Sequence, residues 1–373
     1  MGFGIVIPLL PRYARDFHAS GVEIGLMLAS FSAMQFLFAP FWGRLSDAYG
    51  RRRLILLGLC GSVVSYLLFA VADTYALLLV SRILAGIFAA TIGTAQAYIA
   101  DVTGKEDRGK GMALIGAAFG VGFTFGPVIG WLAHDHGGSA GPGLAAAALS
   151  AVALALAWFK LPEPERHREP RAGGLFGGMA LRWAAARPSV ALILGLYILA
   201  TFCFANFEGT LALLTDEWGH DIRGNGLLFT YIGVCLLISQ GVLVRRLMPR
   251  VGERNFTRMG SVLLALGLAG IAVSDSDSGL GWVLLVLAVS VLGFAMITPS
   301  LTSLLSLHTP DHMQGEVLGV GQSGLSLARI LGPFLGNVLF DVRWDAPYWL
   351  GAGLMILAFA GAMFLRPAPD HAA

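Results

Sequence analysis

Apolar stretches long enough to cross a bilayer recur along nearly the whole of this chain, with short polar loops between them. A membrane span needs about 20 predominantly apolar residues. The pattern predicts twelve helices, near 1–14, 22–42, 54–72, 76–99, 111–133, 144–160, 189–214, 226–244, 257–274, 280–305, 316–340 and 347–365. Composition makes the same demand. Charged residues are 13% of the chain and hydrophobic ones 56%, against roughly 25% charged in soluble domains. Water would meet large apolar patches on such a surface, whereas a bilayer solvates them. The 49 glycines suit close helix packing in a membrane. In the first stretch, only Phe3 to Leu10 precede the first charge at Arg12. That is short for a span, so the first helix is expected to be truncated at its N-terminal side.

Loop charge alternates along the chain. Arg51, Arg52 and Arg53, then Lys105, Arg108 and Lys110, then Arg166, Arg168 and Arg171, then Arg245, Arg246 and Arg250 share one side. Arg12, Arg15, Arg223 and Arg343 belong to the other. The positive-inside rule places the basic side, with the C-terminus, in the cytoplasm, for a multi-pass protein of the inner (plasma) membrane. The longest polar stretch, 161–188, contains Pro162, Pro164 and Pro170 and reads as a cytoplasmic linker between an N-terminal bundle (1–160) and a C-terminal bundle (189–366).

The halves are related to each other. Gly126-Pro127, Gly130 and Asp135 match Gly332-Pro333, Gly336 and Asp341 at a constant offset of 206. A weaker match, at offset 202, pairs Tyr49-Gly50-Arg51-Arg52 with Val251-Gly252-Glu253-Arg254. Two related bundles with a site near the middle of the bilayer are a transporter plan. No nucleotide-binding loop is present, nor any Ser/His/Asp arrangement, so the chain does not read as an enzyme or an ATP-driven pump. Cys60, Cys203 and Cys235 lie in apolar runs without ligand spacing, and Pro310 separates His308 from His312. No metal or other cofactor is expected, and the arginine runs beside spans are topology determinants rather than nucleic-acid patches.

Several motifs then appear in order. Gly43-Arg-Leu-Ser-Asp-Ala-Tyr-Gly-Arg-Arg-Arg53 closely resembles the signature loop of the major facilitator superfamily. Arg82-Ile-Leu-Ala-Gly86 resembles that family's fourth-helix motif, and Gly116 to Gly130 its fifth-helix antiporter motif. Pro8-Leu-Leu-Pro11 fits its first helix. Within the family the likeness is to bacterial tetracycline efflux proteins and drug:proton antiporters, carried by Tyr98-Ile-Ala-Asp101, Glu106-Asp-Arg108, Phe119-Gly-Val-Gly122 and Gly126-Pro127. The resemblance implies an all-α membrane protein of two pseudo-symmetric six-helix bundles, monomeric and working by alternating access. It implies a gating cluster of Gly43, Asp47, Gly50, Arg51, Arg52 and Asp101, and an antiporter motif of Gly122, Gly126, Pro127 and Gly130. The tetracycline exporters' first-helix acid would fall upstream of Met1. Their acids in helices three and nine correspond here to Ser65 and Leu264, so the proton carrier is sought elsewhere.

Ionisable groups inside spans are costly and functional by default. Arg82, Glu208 and Arg329 are the candidates, and Glu208 is the carboxylate well inside a predicted span. Glu208 is expected to carry the coupling proton or to contact substrate. Arg82 is expected to meet a substrate anion or tune an acid, and Arg329 to pair with Glu208. Gln35, Gln96, Asn206 and Gln322 are neutral polar residues within spans, where they serve helix packing or substrate contact. Gln96 and Asn206 are preferred as substrate contacts because the family lines its cavity with helices four and seven. The expected function is proton-driven export of a small amphipathic, drug-like molecule. The alternatives are a nutrient or metabolite facilitator or symporter, and a non-transporting membrane sensor or scaffold.

Overall fold

The computed structural model describes residues 1–102, 108–163, 178–275, 277–310 and 314–365, and those residues form helices and no strands. In chain order the helices are α1 (Gly2–Val6), α2 (Leu10–Asp16), α3 (Gly21–Tyr49), α4 (Arg51–Ala70), α5 (Tyr75–Ala89), α6 (Ile92–Val102), α7 (Arg108–Gly137), α8 (Gly141–Lys160), α9 (Gly178–Ala185), α10 (Pro188–Glu217), α11 (Ile222–Ile238), α12 (Arg245–Val251), α13 (Glu253–Ala272), α14 (Leu280–Leu307), α15 (Gln314–Val342) and α16 (Ala346–Ala362). Each of the twelve predicted stretches contains helix. Among the described residues, nine stretches are long and apolar enough to cross a bilayer; one of them, Gly120–Lys160, runs through both α7 and α8, and α16 is a shorter apolar helix.

Three predicted helices are broken in ways that hydropathy does not reveal. The first is divided into α1 and α2, because Pro8 and Pro11 lack the N–H that a continuous helix requires. The fourth is divided into α5 and α6 at Ala90–Thr91, where the Thr91 hydroxyl donates to the Phe88 carbonyl at 2.7 Å. The eighth passes from α11 through a π-helical stretch, Ser239–Val244, into α12. Elsewhere the ends follow local chemistry. Ser20 and Glu23 form a reciprocal capping box at the start of α3.

Apolar side chains face outward. Phe159, Val342 and Phe364 are 85%, 79% and 78% exposed, a surface that lipid, and not water, can solvate. Inside, hydroxyls turn back onto their own helices: Ser65 donates to Gly61 O at 2.7 Å and Ser290 to Val286 O at 2.9 Å.

The chain divides into two compact units, one of Met1–Arg171 with His220–Gly233 and the other of Ala172–Gly219 with Val234–Ala373. The sequence repeat has a structural counterpart in each. In the first unit a Cβ on Gly126 would stand 2.5 Å from the Gly4 carbonyl carbon, and one on Gly130 2.7 Å from Ile5 O, so α7 lies directly on the α1 backbone. In the second, a Cβ on Gly332 would stand 2.8 Å from Phe202 O, and one on Gly336 would collide with the Asn206 side chain, so α15 lies on α10 in the same way. The weaker match also holds. Gly50 (φ +104, ψ 146) joins α3 to α4, and Gly252 (φ +81, ψ 150) joins α12 to α13. Both occupy a backbone region open essentially to glycine alone.

Candidate functional site

Among the described residues, each unit places an ionisable group deep within its apolar helices. In the first unit Arg82 follows Ser81 on α5 and is 2% exposed. Its guanidinium carbon lies 5.7 Å from the Tyr66 ring centre and 5.2 Å from that of Phe69, both on α4. Its Nε donates to Ser81 Oγ at 3.4 Å, and its Nη2 is buried without a hydrogen-bond partner. The two rings offer the cation their negative π faces. Among the described residues no carboxylate lies within ion-pair distance of it.

In the second unit Glu208 lies well inside α10 and is half-buried; among the described residues it makes no hydrogen bond or ion pair. The cation whose charge reaches it is Arg329 on α15, so the two predicted partners are brought into electrostatic range without forming a contact pair. The approach of α15 to α10 sets this geometry. Gly332 and Pro333, a turn beyond Arg329, pack against Ala205, Asn206 and Gly209, and Glu208 sits among these positions in sequence. A carboxyl held in apolar surroundings, with one cation near but not bonded, can exchange a proton without breaking a salt bridge.

Asn206 is placed differently from Glu208. It is 1% exposed, and its Nδ2 donates to the Pro347 carbonyl of α16 at 3.1 Å, tying two helices together. Its Oδ1 has no partner. Asn337 of the same unit donates from Nδ2 to Pro333 O of its own helix at 2.7 Å and to Gly209 O of α10 at 3.4 Å, and its Oδ1 has no partner among the described residues. Gln322 is exposed and Gln35 half-buried, while the side chain of Gln96 lies outside the described residues.

Of the residues expected to gate, the described side chains lie around the α3–α4 corner of the first unit. Arg51 Nη1 donates to Ser46 Oγ at 2.5 Å. Arg52 Nη2 donates to the Trp158 carbonyl at 2.6 Å, and its guanidinium stands 5.8 Å from the Trp158 ring centre. A Cβ on Gly50 would stand 2.6 Å from Glu163 Oε1, which places that carboxylate at the α3–α4 corner. Gly43 has open space around its Cα. The side chains of Asp47 and Asp101 lie outside the described residues. The antiporter-motif glycines, Gly122, Gly126 and Gly130, form the stripe on which α1 lies, and Gly122 faces Met1.

Sequence reasoning missed two contacts at the opposite end of this unit. Tyr13 Oη and His134 Nδ1 are 2.8 Å apart across 121 residues of chain. Asn225, in the part of α11 that belongs to this unit, donates from Nδ2 to Pro8 O at 2.9 Å. The one available signal for the second was the proline: carbonyls near Pro8 and Pro11 lose helical donors and need others.

Comparison with known proteins agrees with this architecture. A family model described as Major Facilitator Superfamily matches residues 1–333. Multidrug resistance protein 2 of Bacillus subtilis is 30% identical over 379 residues, covering 100% of this chain and 94% of its own length. The class C tetracycline resistance protein of Escherichia coli is 30% identical, covering 96% of this chain and 91% of its own. Among solved structures, the human organic anion transporter MFSD10 superposes with a TM-score of 0.73 at 27% identity, covering 97% of this chain and 95% of its own. The nucleoside transporter NupG superposes with a TM-score of 0.80 at 17% identity, covering 98% and 96%, a likeness of fold alone.

Proposed function

Starting from the fact that this chain belongs to the Major Facilitator Superfamily and is an integral membrane transporter, we propose that it exports a small amphipathic, drug-like molecule in exchange for protons, by alternating access, as a monomer in the plasma membrane with its C-terminus in the cytoplasm. The observation that carries this reading is Glu208: an acid well inside an apolar helix, without a hydrogen bond or ion pair among the described residues, with the charge of Arg329 in reach. An intramembrane carboxyl in that state can bind a proton from one side and release it to the other, and the ionised form costs several kcal/mol there unless it is paired or hydrated, which favours the protonated form between releases. Multidrug and tetracycline resistance proteins among its relatives support the substrate class. Gly43, Gly50, Arg51 and Arg52, with Asp47 and Asp101, serve as the cytoplasmic latch in this reading, and Arg82, Arg329, Gln96 and Asn206 as the polar groups around the transport path.

A second reading, export of an organic anion, is favoured by Arg82, a buried cation without an acidic partner among the described residues, and by the likeness to the human organic anion transporter. Flux into everted membrane vesicles distinguishes the two. Cationic, zwitterionic and anionic drug-like compounds are offered with and without an imposed pH gradient. The proposal expects gradient-dependent accumulation of cationic or zwitterionic compounds. Accumulation of anions alone selects the second reading, and flux indifferent to the gradient removes proton coupling.

A further inference from the structure

The Tyr13–His134 contact belongs to none of the motifs above. It joins the second half of the first helical passage to the last turn of α7, at the end of the unit away from the gating loop. Tyr13 is 7% exposed, and His134 is its hydrogen-bond partner among the described residues. The phenol O–H therefore has one place to go. We assign the phenol as donor to Nδ1, which makes the neutral imidazole the tautomer with its proton on Nε2. Protonation puts a hydrogen on Nδ1 as well. The ring can then only donate, the phenol must turn from donor to acceptor, and its own hydrogen is left in a buried setting without an acceptor, which is the costly outcome for a polar group. Imidazoles as a class change charge between about pH 5 and 8.

The same tyrosine lies on a path to the unit's buried cation. Its ring stacks on Phe69 at 5.8 Å with an interplanar angle of 17°, and Phe69 lies under the Arg82 guanidinium at 5.2 Å. The charges on surrounding elements are mixed in sign. Arg12, Arg15 and Asp16 are on α2; Asp73 lies between α4 and α5; Asp135 and His136 are on α7 itself; His220, Asp221 and Arg223 are at the start of α11; Arg82 stands behind Phe69; and α8 carries no charge before Lys160. No one sign dominates, so the geometry of the hydrogen bond decides the response.

We propose that Tyr13 and His134 form a second protonation site, a tether that acid on the non-cytoplasmic face loosens, freeing the Leu10–Asp16 helix and the aromatic bed under Arg82. The proposal rests on the transport topology given above only for the side that senses the acid. Its test needs no substrate, so its failure is distinguishable from failure of the export reading. Hydrogen–deuterium exchange of residues 10–16 is measured in the purified full-length protein at pH 7.5 and 5.5 and corrected for the intrinsic chemical exchange rate. The wild type is expected to exchange roughly two- to tenfold faster at the acid pH, the range one lost hydrogen bond allows. His134→Gln and Tyr13→Phe should both show a flat response. His136→Gln, whose parent ring bonds its own helix at Leu132 O, should respond as the wild type does. Tyr13→Phe keeps the ring and its stacking, so it answers the question even if His134→Gln does not fold. Acid acceleration that persists in Tyr13→Phe, or that is missing from the wild type, overturns the proposal.

Discussion

In the first unit Gly126 and Gly130 bring α7 onto the backbone of α1, and in the second Gly332 and Gly336 bring α15 onto α10. The corners at Gly50 and Gly252 share a backbone geometry that side chains resist. The charges placed on these matching frames differ. Arg82 in the first unit is a buried cation on an aromatic bed, without an acid in contact among the described residues. Glu208 in the second is an acid with Arg329 in range and no bond to it. At the corners the first unit sets Arg51 where the second sets Glu253. Packing has thus been kept through the repeat while ionisable groups have diverged. This is the division of labour expected when close helix contact serves the fold and unpaired charge serves transport.

The sharpest way to break this comparison is through Glu208. Glu208→Gln keeps shape and hydrogen-bonding capacity and removes the titration, so accumulation in vesicles should fall to the level reached without a pH gradient, a loss of at least about fivefold on the scale of ordinary coupling free energies. Next come the paired glycines. Gly126→Val and Gly332→Val both drive a side chain into backbone and should each cost about 1–3 kcal/mol or more, read as loss of thermal stability in detergent. A response from only one would show that the two contacts are not equivalent. The corner glycines should separate. Gly252→Ala meets open space and incurs only backbone strain, about 1–3 kcal/mol. Gly50→Ala incurs the same strain and must also displace Glu163, so it should be the less stable of the two.

The smallest effect is expected where charge is exposed. Arg343 and Asp345, at the turn between α15 and α16, form two hydrogen bonds of 2.5 Å, and the guanidinium holds the Asp345 carboxyl below the usual carboxylate range. A depressed folded value means stability that is present above the ordinary aspartate range, near pH 4, and lost as pH falls below it. Arg343 is 68% exposed, so solvent screens the pair. Arg343→Gln should lower the melting temperature slightly at pH 7, and the difference from wild type should fade on acidification.

The helices were legible in the sequence because hydrophobic length is a direct requirement of the bilayer. The repeat was legible because glycine at a close contact admits no substitute. Glu208 and Arg329 were legible as ions in apolar runs, and each as the other's candidate partner because an intramembrane charge is costly alone. What escaped depended on contacts distant in sequence. Nothing near Tyr13 announces His134, and nothing near Asn225 announces Pro8. Nor does anything near Asn206 announce that its Nδ2 donates to the Pro347 carbonyl while its Oδ1 has no partner among the described residues; a residue's face on a helix, and not only the helix it belongs to, decides what it touches.

The central claim is that one carboxyl, Glu208, carries the proton exchanged for substrate. Purified protein in liposomes loaded with a pH-sensitive dye reports proton movement directly when a transported compound is supplied on one side. The wild type is predicted to move protons opposite to the compound, and Glu208→Gln to move none while still binding it. Equal proton movement in Glu208→Gln would contradict the claim.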